Sequence, residues 1–317
     1  MKAIFKPKAL YEIADVNERA KDPGFIDACE TLYAQRLGAV ADAVQQKGAA
    51  FVMVSGPSAS GKTTSARKLA VEFRSRGRGA QVVSLDDFFI GVENYPKRPD
   101  GTPDMEHVRA LDIECIHRCL GELERDGRSE LPVFDFVAQK RSPQTHVVEL
   151  APGDVLIIEG IHALNPLLSE TVDEGCVFKL YAGLRTEYSA GGKRVVATRD
   201  LRITRRLIRD WYFRGHSVER TLEMWGSLRD GEEKWIKPFR GDADMLLDTS
   251  FEYEPCVTAP LLAAICADKA QGGEARDLLL GLNRRFADFT PLPTDGVPKN
   301  SMIREFYGGL ELPDESA

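Results

Sequence analysis

Residues 56–63 read Gly56-Pro57-Ser58-Ala59-Ser60-Gly61-Lys62-Thr63, a complete G-x-x-x-x-G-K-[ST] phosphate-binding loop. This string restricts the fold tightly, because it works only between a buried strand and a helix. Both flanks meet that demand. Phe51-Val52-Met53-Val54 is an apolar run, and Leu69, Ala70 and Phe73 follow at helical spacing. Gly56 and Gly61 let the chain bend so that successive N–H groups face one anion. Ser58, Ala59, Ser60 and Thr64 complete the expected cradle, and the helix start adds partial positive charge. Lys62 can reach the β- and γ-phosphates, and the Thr63 hydroxyl suits Mg²⁺.

The 317 residues suggest one large α/β domain or one domain with appendages, and 43% hydrophobic residues suffice for a sizeable core. The net charge of −7 argues against nucleic acid as the main partner. The six cysteines form no C-x-x-C pair, so neither a disulfide framework nor a zinc site is expected. No window approaches 18 apolar residues, and Met1–Lys8 lacks the apolar core of a signal peptide. A cytoplasmic protein without a membrane partner is expected.

Along the chain, Ile26, Cys29, Tyr33, Leu37, Val40 and Val44 predict a helix over 25–46, ended by Lys47-Gly48. Strands are expected at Gln81–Leu85, Leu131–Val137, Thr145–Leu150, Asp154–Ile158, Cys176–Tyr181 and Met245–Asp248, with the second and third paired as a ribbon. Residues 91–106 read as a loop. Helices are expected over 107–125, 199–213, 217–237 (with a break near Gly226 or Gly231), 257–268 and 274–287. Ser189-Ala190-Gly191-Gly192-Lys193 reads as a flexible patch. Strands alternating with helices imply a mainly parallel sheet covered on both faces.

Three features narrow the chemistry. The chain holds no D-x-x-G, N-K-x-D or L-S-G-G-Q string, which turns attention from GTPases and transporters to small-molecule kinases. Asp86 and Asp87 close a strand at the rim where ligands collect in open α/β sheets. A carboxylate there could take a proton from an attacking hydroxyl or hold a Mg²⁺-bound water, and position alone does not choose between the two. Arg202, Arg205, Arg206, Arg209 and Arg214 crowd one helix, where a polyphosphate would relieve their repulsion; a solvated basic face partnered by Asp200 and Asp210 is the alternative. Beside the glycine patch, this helix suggests a mobile lid. Glu159 ends the most apolar strand, a place from which an acid can orient Mg²⁺.

The series Gly56–Thr63, Ser84-Leu85-Asp86-Asp87-Phe88-Phe89, Leu131–Phe136, Ile158-Glu159-Gly160-Ile161 and Arg202–Asp210 resembles the uridine kinase/phosphoribulokinase family of P-loop kinases. Glu159–Pro166, Arg214–Ser217, Met224–Lys234 and Arg304–Gly309 resemble most its bacterial uridine kinase-like nucleoside kinases. Many of these carry an N-terminal TGS domain, for which the stretch ahead of residue 25 is expected to be too short. The resemblance implies that Asp86 rather than Asp87 is the catalytic acid. It puts Lys62 and Thr63 on phosphate and metal, with Glu159 and Asp86 at the metal. Arg205, Arg206 and Arg209 match the lid arginines, Arg206 on the nucleotide and Arg209 also toward the acceptor. Glu106-His107 lies where uridine kinases have Asp-His, whose acid binds ribose hydroxyls. Phe134 replaces a tyrosine and Gln139 a base-reading histidine. Phe89 and Arg141 complete the expected acceptor site.

The expectation is therefore a three-layer α/β/α P-loop fold. It comprises a helical lead-in over 1–49, a kinase domain over 50–255 and a helical appendage over 256–317. The domain carries a substrate insert over 87–150 and a lid over 190–240. ATP and Mg²⁺ are the expected cofactors and a small molecule the partner. The appendage is expected either to make homo-oligomer contacts or to cap the core. The acceptor is expected to be a nucleoside, with a sugar, polyol or other small alcohol as the alternative. A non-catalytic ATP-binding regulator is the reading from another class.

Overall fold

A computed structural model describes residues 7–267 and 273–313. The chain begins with β1 (Ala9–Glu12), α1 (Ile13–Arg19) and α2 (Phe25–Lys47). The nucleotide-loop unit is β2 (Phe51–Ser55), α3 (Lys62–Ser75) and β3 (Ala80–Ser84). After α4 (Ile113–Asp126) come β4 (Arg128–Asp135), β5 (Lys140–Glu149), β6 (Val155–Glu159) and β7 (Val177–Gly183). Then follow β8 (Thr186–Ala190), β9 (Lys193–Val196), α5 (Thr198–Phe213) and α6 (Val218–Gly231). The chain closes with β10 (Met245–Asp248), α7 (Glu254–Ala267), α8 (Gly273–Phe286) and α9 (Arg304–Tyr307).

The central sheet has the order β10-β7-β2-β6-β3, and every neighbouring pair is parallel. Both β2 and β6 are buried along their whole length, as unbroken apolar runs in a parallel sheet must be. Side-chain alternation splits β2 between two cores. Val52 and Val54 join the cluster under α2, α3, α5 and α7. Phe51 and Met53 join the one under α4 and β4. This is the three-layer α/β/α P-loop fold. All strands present their C-terminal ends at one rim, so Gly56, Asp86 and Glu159 are brought together there.

The β4–β5 ribbon forms as expected, antiparallel, and Gly48 ends α2 in the left-handed conformation at φ 72°. Other elements differ. The helix expected from residue 107 starts at Ile113, because the Asp112 side chain caps Cys115 N–H; Val108–Ala110 is only a 3-10 turn. The chain does not break at Gly226, and beyond Gly231 a π-helical turn (Glu232–Ile236) follows.

The glycine patch is not flexible. Gly191 and Gly192, at φ 56° and 74°, form the tight turn between β8 and β9. Both N–H groups donate to the Glu12 carboxylate, at 3.1 and 2.7 Å. β8 also pairs in parallel with β1, so the lead-in shares a three-stranded sheet with this hairpin. The hinge expected for a lid is thus a pinned turn.

The C-terminal segment runs back onto the phosphate loop. Met302 is fully buried against Gly61, whose φ is 81° and where any Cβ would drive into the Met302 sulfur. The Lys68 ammonium donates to Asn300 O at 2.6 Å. Of the two roles expected for the appendage, capping the core is the one this packing fills. Met302→Ala should therefore cost about 2–5 kcal/mol in urea unfolding, the range for emptying a buried methionine site. It should also weaken nucleotide binding, because the loop loses its floor.

Candidate active site

The loop bends through Ala59, a non-glycine residue at φ 59°, and Gly61. Such strain persists only where surroundings impose it. Here they do. Arg205 is fully buried and forks onto Glu254, with Nε and Nη2 at 2.5 and 2.7 Å from its two oxygens. It also donates to Thr249 O at 2.9 Å and to Ala59 O at 3.3 Å. This corrects the expectation for Arg205. A fully buried guanidinium with four of its five N–H groups engaged in this way is not placed for a transferring phosphoryl group, and it serves as the strut that holds the loop.

The neighbouring arginines differ from it and from one another. Arg202 Nε donates to Ser58 O at 2.8 Å, and Arg206 Nη1 donates to the Ser58 hydroxyl at 2.9 Å. Asp210, fully buried, pairs with Arg206 at 3.2 Å, Arg209 at 2.9 Å and Arg214 at 3.8 Å. One carboxylate organises three cations and leaves them with net positive charge beside the loop. Of the two partners considered from sequence, Asp210 does this, whereas Asp200 caps Ala197 N–H and pairs with Arg285.

The loop itself fits phosphate. The Ser60 hydroxyl is buried with no partner among the described residues. Adding a Cβ at Gly56 would strike Ala182 O, so glycine is needed for the close turn. The Ser58 N–H, however, is taken by Glu232 Oε1 at 3.1 Å, and Glu232 also pairs with Arg202. Thr64 Oγ1 donates to Glu305 Oε2 at 2.6 Å. Sequence reading assigned neither acid. Glu305 lies in the quoted Arg304–Gly309 string, but 241 positions separate it from Thr64.

Across the rim stand the acids. Lys62 Nζ lies 3.9 Å from Glu159 Oε2, and Ser84 Oγ donates to Glu159 Oε1 at 3.1 Å. Burial pushes the Glu159 carboxyl upward, while Lys62 pulls it down. Asp86 is reachable from solvent yet deep in the cleft. The protein crowded around it raises its carboxyl above the ordinary range, Lys62 opposes, and Asp87 adds to the rise. Asp87 is engaged elsewhere, accepting from Phe134 N–H at 3.4 Å. Among the described residues no group of three or more His, Cys, Asp or Glu forms a metal cage. The all-oxygen set of Thr63, Asp86 and Glu159 instead suits Mg²⁺, which uses few carboxylates and keeps water and phosphate ligands.

Glu106 is half-buried, and its carboxyl is pushed up to about 7, first by burial and then by Glu232. His107 stacks edge-on against Trp235 at 4.4 Å. Trp235 also meets buried His162, which burial drives down to about 4 and so keeps neutral. Neither was given a role from sequence: His162 lies in the quoted Glu159–Pro166 string, and Trp235 carries no local signal beyond its residue type.

Phe89, Phe134 and Phe136 form an aromatic chain with centroid spacings of 5.6 and 5.2 Å. Tyr95 joins it 5.6 Å from Phe89. Two expected acceptor ligands point elsewhere. Gln139, at φ 54°, turns its amide onto Phe136 O at 2.7 Å and shapes the tip of the ribbon. Arg141 pairs with Asp112 at 2.9 Å and fastens the ribbon to α4.

A phosphate loop at the rim of a parallel sheet, with acids on the neighbouring strand ends and arginines above, defines a P-loop kinase of small molecules. The sequence model of the phosphoribulokinase/uridine kinase family matches residues 51–252, and the chain belongs to that family. A uridine kinase of Bacillus pumilus is 29% identical over 195 residues, 61% of this chain and 83% of that one. A uridine kinase of Saccharomyces cerevisiae is 27% identical over 201 residues, 62% of this chain but 36% of its own length. The solved phosphoribulokinase from Rhodobacter spheroides superposes with a TM-score of 0.41 at 14% identity, over 76% of this chain and 99% of that one.

Arg205→Met should destabilise the fold by about 3–5 kcal/mol in urea unfolding, since it strands the buried Glu254 charge. A phosphate-contacting arginine would instead change turnover and leave stability nearly intact.

Proposed function

We propose that the protein transfers the γ-phosphoryl group of ATP, with Mg²⁺, to a hydroxyl of a small neutral molecule, best read as the 5′-OH of a nucleoside. The observation that carries this reading is Asp86. It stands in one cleft with Lys62 and Glu159, while its neighbour Asp87 is occupied by the ribbon. Asp86 orients the acceptor hydroxyl and takes its proton as the oxygen–phosphorus bond forms and the bond to the departing ADP oxygen breaks. Lys62 and the arginine group of Arg206 and Arg209 stabilise charge on the transferring group. Thr63, Asp86 and Glu159 would hold Mg²⁺, which would supply further charge neutralisation when bound.

The nucleoside reading is supported by the aromatic chain of Phe89, Phe134 and Phe136, a stacking surface for a flat base. It is also supported by Glu106-His107, which resembles the ribose-binding Asp-His of uridine kinases. Gln139 gives it no support, because its amide is bonded within its own turn. Acceptor screening by ADP release, nucleosides first and then sugars and polyols, with ³¹P-NMR of the product, tests the reading. ADP formation that no acceptor stimulates would overturn it in favour of a nucleotide-binding regulator.

Asp86→Asn should lower turnover by about 10²–10⁴-fold while a non-hydrolysable ATP analogue still binds in titration calorimetry. Parallel loss of both would leave Asp86 with a metal or structural role alone and not that of the base.

The acid at 106 predicts a pH profile. Its raised carboxyl is protonated below pH of about 7 and ionised above. The ionised form accepts from sugar hydroxyls, so acceptor kcat/KM should rise through that range and flatten in Glu106→Gln. The same shift has the opposite sign for stability. Relative to Gln, Glu106 does least harm below the ordinary carboxylate range and destabilises as pH climbs through about 7.

A further inference from the structure

A concave cleft of about 590 Å³ opens beside the phosphate loop. Its walls are the end of β7 with Gly183–Arg185, the first turn of α5, and the chain from the end of α6 to Arg240. Pro57 of the phosphate loop forms part of its lining. Seven of its sixteen lining residues are lysine or arginine, against three acids, in a chain whose net charge is −7. General basicity therefore does not explain the concentration.

Two of these cations, Arg199 and Arg229, make no ion pair among the described residues. Arg202 lies over the Trp225 ring at 5.2 Å and Arg240 over Tyr181 at 5.3 Å, so both guanidiniums are set in place by aromatic faces. A solvated basic surface would spread its charges outward. Here a concave wall turns them toward one space, which is the arrangement that raises local anion concentration.

We propose that this cleft is a second, regulatory anion site for a small phosphorylated molecule bearing two or more anionic groups, linked to the nucleotide site through Glu232. The link is short. Arg202 lines the cleft, donates to Ser58 O and pairs with Glu232, and Glu232 covers the Ser58 N–H. An anion in the cleft competes with Glu232 for Arg202. Glu232 then loses its main partner, and the Ser58 N–H is released to the nucleotide. Because coupling is reciprocal, ATP must in turn tighten the anion. The site is independent of which acceptor is phosphorylated; only its link to ATP rests on the function proposed above.

The test is titration calorimetry on the full chain saturated with a non-hydrolysable ATP analogue and Mg²⁺, with inorganic pyrophosphate and a hexose bisphosphate as probes. One equivalent should bind. The pair Arg199→Ala/Arg229→Ala should weaken it by at least about tenfold, the loss expected for two charge-assisted phosphate contacts. The analogue's affinity and basal turnover should stay unchanged. Each single variant reads the same effect in a smaller step if the double variant folds poorly. In the wild type the probe should tighten the analogue severalfold. Glu232→Gln should bind the analogue more tightly by itself and lose that response. No heat with the loaded protein, equal affinity in the arginine variants, or binding only when the analogue is omitted would overturn the proposal. Failure of the analogue to bind the wild type would instead refute the nucleotide reading, so the two are told apart.

Discussion

The buried Arg205 guanidinium is the interaction on which the nucleotide cleft depends. It joins three segments far apart in sequence: α5, which carries it, the phosphate loop through Ala59 O, and the start of α7 through Glu254 and Thr249 O. A buried charge of this kind costs several kcal/mol in desolvation, which fork-to-fork geometry and two further carbonyls can offset. A lysine ammonium has three donors and could not satisfy these four acceptor atoms, so the residue type follows from the geometry. With Ala59 held at positive φ by this strut and Gly61 seated on Met302, the loop is bent before any phosphate arrives. Pre-bending removes the ordering cost from the binding step.

Charge is sorted across the cleft. On the nucleotide side, Asp210 gathers Arg206, Arg209 and Arg214 without neutralising them. On the acceptor side, Asp86, Glu106 and Glu159 are all raised above the ordinary carboxylate range, each mainly by burial. Lys62 sits between the two groups and opposes the rise at all three acids. A site arranged in this way offers cations where negative charge develops and a proton acceptor where the alcohol must stand.

What sequence disclosed was whatever is local. The strand–loop–helix unit, α2, the β4–β5 ribbon and the central strands each carry their own periodicity, and Asp86, the acid proposed for catalysis, follows a strand that the pattern locates. What it hid was non-local. β1 is four residues long and pairs with β8, so nothing near Ala9 announces a strand. Gly191-Gly192 reads as slack until Glu12 is found beneath it. On the arginine helix, Arg205 and Arg206 lie one residue and about 100° apart, which sends one into the core and the other to Ser58. Residue type and spacing alike cannot tell those fates apart, because the discriminating partner, Glu254, lies 49 positions away.

The electrostatics of the acceptor side also bear on what can enter. A phosphorylated acceptor would bring a dianion to a pocket whose acids are already strained by their own mutual repulsion, Glu232 adding to the rise at Glu106. A neutral polyhydroxylated acceptor meets the opposite situation. Its hydroxyls would donate to those carboxylates and relieve the desolvation that burial imposes, and its flat or apolar face would have Phe89, Phe134 and Phe136 to lie along. On the function proposed above, the same pocket would disfavour its own product. Once such an acceptor carried a phosphate, the acids that held its hydroxyls would repel it, and release would follow from the charge created by the reaction itself.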